Sequence, residues 1–483
     1  MVIKTIEQQI WEIALHHPDK IAVISGKSRV CYQQLWSSIL AAKAKLVEEY
    51  GLKPSDTIII AAGKQAEFVY AYFGAHLAGI KVVPIDAQTN PDRLQYIIHA
   101  TDVKRLIGFN NPEISLPQTD INTFETTDQP IAETSFPDME ATADILFTTG
   151  TTGAPKGVPL TFANEAAAAR NINTFIRNTA DDIEMLALPI SHSFGLGRLR
   201  CCLSIGATIL LLGNFANVKK LFRLMSEEKV TGFTMVPASW RYLHSFSGDK
   251  LGDFKDQLNY IEMGSAFFSA DEKRQLANLL PNTRVCMHYG LTEATRSAFM
   301  EFHEDFANLS SVGKASPFTD ISIFDEQGHK VNSDEEGEIC VKGEHVTHGY
   351  LNIPTEEAFF GDYFRTGDWG HLSADGYLFL ASRKKDLINV GGKKVSPEEV
   401  EVQIMKVQGV KDCACIATAD KESMLGEVVK AFIVRNEGEA ITFDTIRQKI
   451  EPLLEYYKLP VVWEWINEIP KTQNGKIQRN LLK

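Results

Sequence analysis

Short apolar runs alternate with stretches of helical period through the first quarter of the chain. Runs at 21–24, 57–60 and 81–85 are rich in Ile and Val, as strands favour, and a fourth apolar run lies at 105–109. Between them, apolar residues over 33–50 and 65–78 recur at helical spacing. This alternation predicts a largely parallel sheet covered by helices. A further strand is expected at 144–147, and Thr161 is placed to cap a helix over 164–178. A second α/β stretch runs from 183 to 289, with strands at 207–212, 232–236 and 260–263 and helices at 218–228 and 270–280. Two such halves packed together leave a crevice. From 320 to 382 the pattern becomes strand and turn, with Asp325-Glu326-Gln327-Gly328 and Ser373-Ala374-Asp375-Gly376 as turns, so a small distorted barrel is expected. After Arg383 a compact α+β unit is predicted, with helices at 397–406 and 442–454 and strands at 414–418 and 428–434. No repeat or low-complexity segment interrupts the chain.

At 483 residues the chain exceeds what one core supports, because single cores stop growing near about 250–300 residues. The charged, anchor-free segment Arg383-Lys384-Lys385-Asp386 suits a hinge, which predicts domains at 1–384 and 385–483. A net charge of −13 argues against nucleic acid as a partner, since tracking a phosphate backbone needs a basic excess. The seven cysteines, at 31, 201, 202, 286, 340, 413 and 415, form no CxxC pair. They point to a reducing compartment, and a cytoplasmic protein is expected. No run approaches the roughly 18 apolar residues of a membrane span, and no leader pattern is seen.

The densest chemistry lies in Thr148-Thr149-Gly150-Thr151-Thr152-Gly153-Ala154-Pro155-Lys156-Gly157, directly after the strand at 144–147. Glycines let backbone N–H groups face an anion, threonine hydroxyls add donors, and Lys156 adds a cation. A phosphate cradle is expected. It is not a Walker A loop, since Pro155 stands where that motif has glycine and no hydroxyl follows the lysine. A mobile Ser/Thr/Gly surface loop is the plainer alternative, which the flanking strand and helix disfavour.

This decapeptide resembles the AMP-binding signature of the adenylate-forming superfamily of acyl-CoA synthetases, peptide-synthetase adenylation domains and luciferases. The likeness continues in order through most of the chain. His288-Tyr289-Gly290-Leu291-Thr292-Glu293 resembles the YGxTE motif, which implies Tyr289 beside adenine, Thr292 at the α-phosphate and Glu293 on Mg2+. A hard carboxylate suits that hard cation. Gly264-Ser265-Ala266 matches the small-residue segment along the adenine. Tyr363-Phe364-Arg365-Thr366-Gly367-Asp368 is similar to YxTGD, implying that Asp368 accepts from both ribose hydroxyls. The segment from Ser382 matches the hinge: Arg383 contacts ribose and phosphate, Lys385 is the hinge position, and Gly391 and Gly392 line a thiol tunnel. Pro470-Lys471-Thr472-Gln473-Asn474-Gly475-Lys476 resembles PKTxxGK, and implies that Lys476 bridges carboxylate and α-phosphate. Leu188-Pro189-Ile190-Ser191-His192-Ser193-Phe194-Gly195 matches the segment bearing an aromatic gate, with His192 as the gate and Phe194 lining the acyl pocket.

The resemblance implies a large N-terminal domain of two helix-covered sheets with a small barrel, then a small mobile α+β domain. It also implies ATP-dependent activation of a small-molecule carboxylic acid through an acyl adenylate. The acyl group then passes to CoA or a carrier-protein phosphopantetheine, with AMP and pyrophosphate released. A stand-alone enzyme delivering the adenylate to another acceptor is the alternative, and a non-catalytic nucleotide-binding regulator is disfavoured by Glu293, Asp368, Arg383 and Lys476. Amino-acid-activating relatives place an aspartate after the gate, yet 185–226 holds no Asp or Glu. An α-amino acid would leave its ammonium unpaired there. Arg198, also without a local acidic partner in that stretch, is expected in the acyl pocket, selecting a second acidic or hydrogen-bonding group on the substrate; a salt bridge to a distant Asp or Glu, or a place at the rim, is the alternative. Arg296 adds a second basic residue beside the YGxTE match, with no role assigned.

Overall fold

A computed structural model describes residues 3–148, 155–213, 215, 217–383, 386–390, 393–420, 427–472 and 475–482. They divide into two compact units, Met1–Ile321 with Val341–Phe364 and Ser322–Cys340 with Arg365–Lys483.

The first unit contains two helix-covered sheets. One has six strands in the order Gln118–Thr119, Val103–Ile107, Thr57–Ala61, Lys81–Ile85, Thr142–Thr148 and Lys156–Thr161. The other has nine, in the order Lys314–Ala315, Ala298–Glu301, Arg284–Tyr289, Tyr260–Met263, Gly232–Met235, Ile183–Leu186, Thr208–Leu211, Ile21–Ser25 and Ser28–Cys31. Its six central strands are parallel, so their carboxyl ends share one edge. The strand at 21–24 was expected in the first half of the chain's alternation. It pairs instead with the second sheet, Val23 opposite Ile209, a partner that local pattern does not reveal. A third, five-stranded sheet is drawn from residues 320–383, where a small barrel was expected. The second unit carries a three-stranded sheet, Val410–Ala419, Glu427–Arg435 and Val462–Trp465, with helices Pro397–Met405 and Phe443–Ile450. Among the described residues, no helix is long and apolar enough to cross a membrane.

Helix Ala66–Leu77 shows how tightly the first unit is packed. Its sequence is apolar all round, and every residue but Glu67 is buried, as expected for a helix with packing on all sides. Gly74 is required there: a Cβ would stand 2.7 Å from that of Ala42 and 2.9 Å from the Lys43 nitrogen, on helix Tyr32–Ala44. Burial on every face leaves His76 in the interior, and it is satisfied by charge. Its Nδ1 lies 2.8 Å from Glu7 and its Nε2 3.1 Å from Asp144. Asp144 also accepts from the Tyr72 hydroxyl at 2.8 Å and is paired with Arg200, whose guanidinium stands 2.8 Å from Glu165. His76, Asp144 and Glu165 are close enough to hold a metal. Arg200 already supplies the cation there, so the cluster is an ion-pair network.

Burial alone would lower the His76 pKa, but hydrogen bonds to Asp144 and Glu7 outweigh it and raise it to about 10. A pKa raised in the folded state stabilises fully below the unfolded value of 6.5 and loses that contribution as pH climbs toward 10. The denaturation midpoint is therefore expected to fall between pH 7 and 10, with a shallower fall in His76→Gln. Denaturant titrations of both proteins across that range check this, and equal slopes would contradict it.

Candidate active site

The parallel strands Tyr260–Met263 and Arg284–Tyr289 lie side by side, with Met263 opposite Met287. This register delivers Gly264-Ser265-Ala266 and the Tyr289-to-Glu293 segment to the same carboxyl edge, where ligands of open α/β sheets bind. His288 and Gly264 touch. A Cβ on residue 264 would come within 2.2 Å of the His288 ring, so glycine is the residue that fits.

Glu293 is fixed from outside its motif. The hydroxyl of Tyr350 donates to its Oε1 at 2.9 Å, and the Thr347 N–H donates to its carbonyl at 2.8 Å. Lys156 sits over the same Tyr350 ring, with Nζ 4.7 Å from the centroid. The Leu351 N–H donates to the Gly157 carbonyl at 2.9 Å. Thus 347–351 ties the lysine of the phosphate-loop match to the carboxylate of the YGxTE match. Lys156 begins a strand, paired with Thr148 across an antiparallel hairpin. Thr161 then caps helix Phe162–Ile176 by a capping box with Asn164, the cap expected from sequence. Thr149, Gly150, Thr151, Thr152 and Gly153 lie outside the described residues.

His192 is the exposed N-cap of helix Ser193–Ser204. The Ser193 hydroxyl is 3.5 Å from that of Thr292, so the positive end of this helix dipole lies beside the YGxTE segment. Phe194 is buried edge-on against the His288 ring, centroids 4.6 Å apart, rather than presented as an open pocket wall.

Arg198 does not reach a substrate pocket, and that expectation is withdrawn. Its side chain is fully buried, and its Nε donates to both Glu184 oxygens at 3.0 and 3.1 Å. Its Nη2 bonds Glu184 again and the Tyr260 hydroxyl, while Nη1 is 3.4 Å from Glu262. Glu184 lies one residue before the acid-free stretch 185–226, and Glu262 comes from the neighbouring part of the sheet. A guanidinium so occupied has no reason to seek a ligand.

Glu262 is the centre that sequence reasoning missed. Its Oε1 is 2.7 Å from His288 Nδ1 and 3.0 Å from Arg296 Nε, and its Oε2 faces Arg198. Burial would raise its pKa, but Arg296, His288 and Arg198 together hold it well below the usual carboxylate range. His288 is itself lowered by burial, with Arg296 and Arg198 repelling its charged form, so its ring is neutral near pH 7. Arg296, in the left-handed region at φ 53°, also donates to the carbonyls of Ser193 at 3.1 Å and Phe194 at 3.0 Å. The carboxylate therefore locks helix Ser193–Ser204 to the strands that lead into Gly264-Ser265-Ala266 and Tyr289. No local motif marks Glu262 or Tyr350, since their partners come from distant segments.

Asp368, Arg383 and Lys476 belong to the second unit. Asp368 is buried on strand Tyr363–Leu372, opposite Arg383 of strand Leu378–Arg383. The side chain of Arg383, together with Lys385, Gly391 and Gly392, lies outside the described residues. Lys476 is exposed on a tight turn: Thr472 donates its N–H to the Lys476 carbonyl and accepts that of Gly475, both at 2.8 Å. Gly475 takes φ 79°, the left-handed conformation that favours glycine. Behind the turn, Arg479 pairs with Glu401 at 2.9 Å.

The chain matches the model of the AMP-binding enzyme over residues 10–351 and that of the AMP-binding enzyme C-terminal domain over 399–476. It is 27% identical to an oxalate–CoA ligase of Arabidopsis thaliana, over 99% of this chain and 98% of that protein. It is 30% identical to a 2-succinylbenzoate–CoA ligase of Enterococcus faecalis, over 71% of this chain and 69% of that one. Among solved structures, ATP-bound MatB from Rhodopseudomonas palustris superposes with a TM-score of 0.89 at 25% identity, covering 99% of this chain and 98% of that one.

The contact between residue 264 and His288 has a measurable consequence. Gly264→Ala is expected to destabilise the protein by about 1–3 kcal/mol, the usual cost of overpacking, because Glu262 prevents the ring from yielding. Adding His288→Ala should recover part of that loss. Denaturant unfolding of the single and double variants checks this, and additive losses would contradict it.

Proposed function

Given that the chain belongs to the AMP-binding enzyme family and is an AMP-forming acid–thiol ligase, we propose that Thr292, Glu293, Lys156, Asp368 and Lys476 carry its chemistry. In that reaction a carboxylate oxygen attacks the α-phosphorus of ATP and pyrophosphate leaves. A thiol then attacks the acyl carbon, and AMP leaves with one of the original carboxylate oxygens. CoA is the favoured thiol, because the relatives matched here are CoA ligases.

The observation that carries this reading is the Tyr350 bridge, whose hydroxyl holds Glu293 while its ring lies under Lys156. A phosphate-binding cation and a metal-binding carboxylate are thereby set together, the arrangement phosphoryl chemistry needs. Glu293 fits Mg2+, being a hard oxygen donor with Oε1 oriented by Tyr350, and the ion would neutralise charge on the departing pyrophosphate. Thr292, beside the start of helix Ser193–Ser204, donates to the α-phosphate, and His192 at the cap orients the carboxylate. Tyr289 and Gly264-Ser265-Ala266 flank the adenine. Asp368 accepts from the ribose hydroxyls and Arg383 assists it. Lys476 neutralises charge shared by carboxylate and α-phosphate. The proposal includes a mobile C-terminal domain beginning at residue 385, with Lys385 as its pivot and Gly391 and Gly392 along the thiol's path. A cytoplasmic setting is also proposed, supported by seven cysteines without a disulfide.

Lys476→Ala is expected to lower adenylation by a factor on the order of 100 or more, as for loss of an electrostatic group acting at the transition state. Transfer to CoA from supplied acyl adenylate should be largely spared. Rates of the two half-reactions, measured separately, decide this, and equal losses in both would reject the assignment.

A further inference from the structure

Between helices Phe162–Ile176 and Ser193–Ser204 lies a partly open cavity of about 20 Å3. Its walls include Ser193, Gly197, Thr292 and Arg296 on one side and Ala168 and Ile172 on the other. A water-sized group needs about 10–15 Å3 measured in this way, so there is room for roughly one or two such groups. Thr292 and Ser193 form one end of the cavity. On the proposed reading the α-phosphate lies at Thr292, and the acyl group joined to it through one oxygen in the adenylate points its substituent into this space.

Arg296 sets the limit. Gly197 carries no side chain, and Arg296 Nη1 stands 2.7 Å from where a Cβ on residue 197 would be. Four of the five guanidinium N–H groups are used: Nε on Glu262, Nη1 on the Ser193 carbonyl and the Thr295 hydroxyl, and Nη2 on the Phe194 carbonyl. A longer substituent would have to break these bonds and draw Arg296 away from the buried Glu262, leaving that carboxylate only His288 and Arg198. The arginine therefore acts as a wall and is not free to receive a second carboxylate.

We propose that Arg296, braced by Glu262, is the specificity-determining residue of the acyl end and restricts this enzyme to acids of two or three carbons. The inference rests on the ligase reading above. Its test is a ladder of straight-chain acids from acetate to octanoate, plus benzoate, followed by pyrophosphate release with ATP and CoA. The wild type is expected to be most active with acetate or propionate, with kcat/KM falling about 10-fold or more for each further methylene that does not fit. Arg296→Ala should move the optimum to longer acids, while Arg296→Lys, which keeps a long cation, should move it less. Ala168→Val fills the cavity from the opposite wall and should lower the propionate-to-acetate ratio by a factor of about 10, with no charge removed. A wild-type optimum at octanoate or benzoate overturns the proposal, as does an unchanged chain-length profile in both Arg296→Ala and Ala168→Val. Absence of pyrophosphate with every acid of the ladder also overturns the proposal, whereas absence across a wider panel that adds dicarboxylic and further aryl acids would instead remove the ligase reading on which the inference stands.

Discussion

A fully buried carboxylate, Glu262, is the constraint on which the active-site region depends. Removing such a charge from water costs several kcal/mol, and the cost is met only when partners surround it. Here His288, Arg296 and Arg198 do so, and each arrives on a different segment. The strand that supplies Glu262 continues into Gly264-Ser265-Ala266, and the strand that supplies His288 continues into Tyr289 and Glu293. Arg296 then grips the first two carbonyls of helix Ser193–Ser204. One charge thus fixes Gly264-Ser265-Ala266, the Tyr289-to-Glu293 segment and the start of the helix capped by His192. Preorganisation of this kind is what electrostatic catalysis requires, because the donors need not move when charge develops.

The same helix is pinned from its other side. Arg198 and Arg200 are two residues apart, so they leave the helix on opposite faces. Arg198 enters the Glu184 and Glu262 network, and Arg200 enters the one built from Asp144, Glu165 and Tyr72. The second network reaches strand Thr142–Thr148, which leads into the phosphate-loop match. Both sheets of the first unit are therefore connected through one helix by buried ion pairs. Neutralising either arginine would leave buried carboxylates uncompensated, a penalty of about 3–5 kcal/mol when one member of such a pair is removed.

Much of this was legible in the sequence, for identifiable reasons. Strands at 57–60, 81–85 and 260–263 declared themselves by composition, and Thr161 marked its helix by capping chemistry that acts over three residues. Motif residues were legible because glycines, hydroxyls and charges sit at fixed local spacings. Long-range pairing was not. Arg198 was misread because its main partner, Glu184, lies one residue outside the acid-free stretch, and its second partner is 64 positions away. Strand Ile21–Ser25 joins the second sheet through Thr208–Leu211, and Tyr350 reaches Glu293 across 57 residues. Such contacts are set by topology, which local pattern carries only weakly.

Taken together, the motif residues and the buried network describe an enzyme that joins a carboxylate oxygen to the α-phosphorus of ATP. The most direct measurement follows that oxygen. Acetate or propionate labelled with 18O in the carboxylate is turned over with ATP, Mg2+ and CoA, and the nucleotide products are examined by mass spectrometry. The account predicts one labelled oxygen in AMP and none in pyrophosphate. Label in inorganic phosphate with ADP as the nucleotide product, or AMP formed without label, would contradict it.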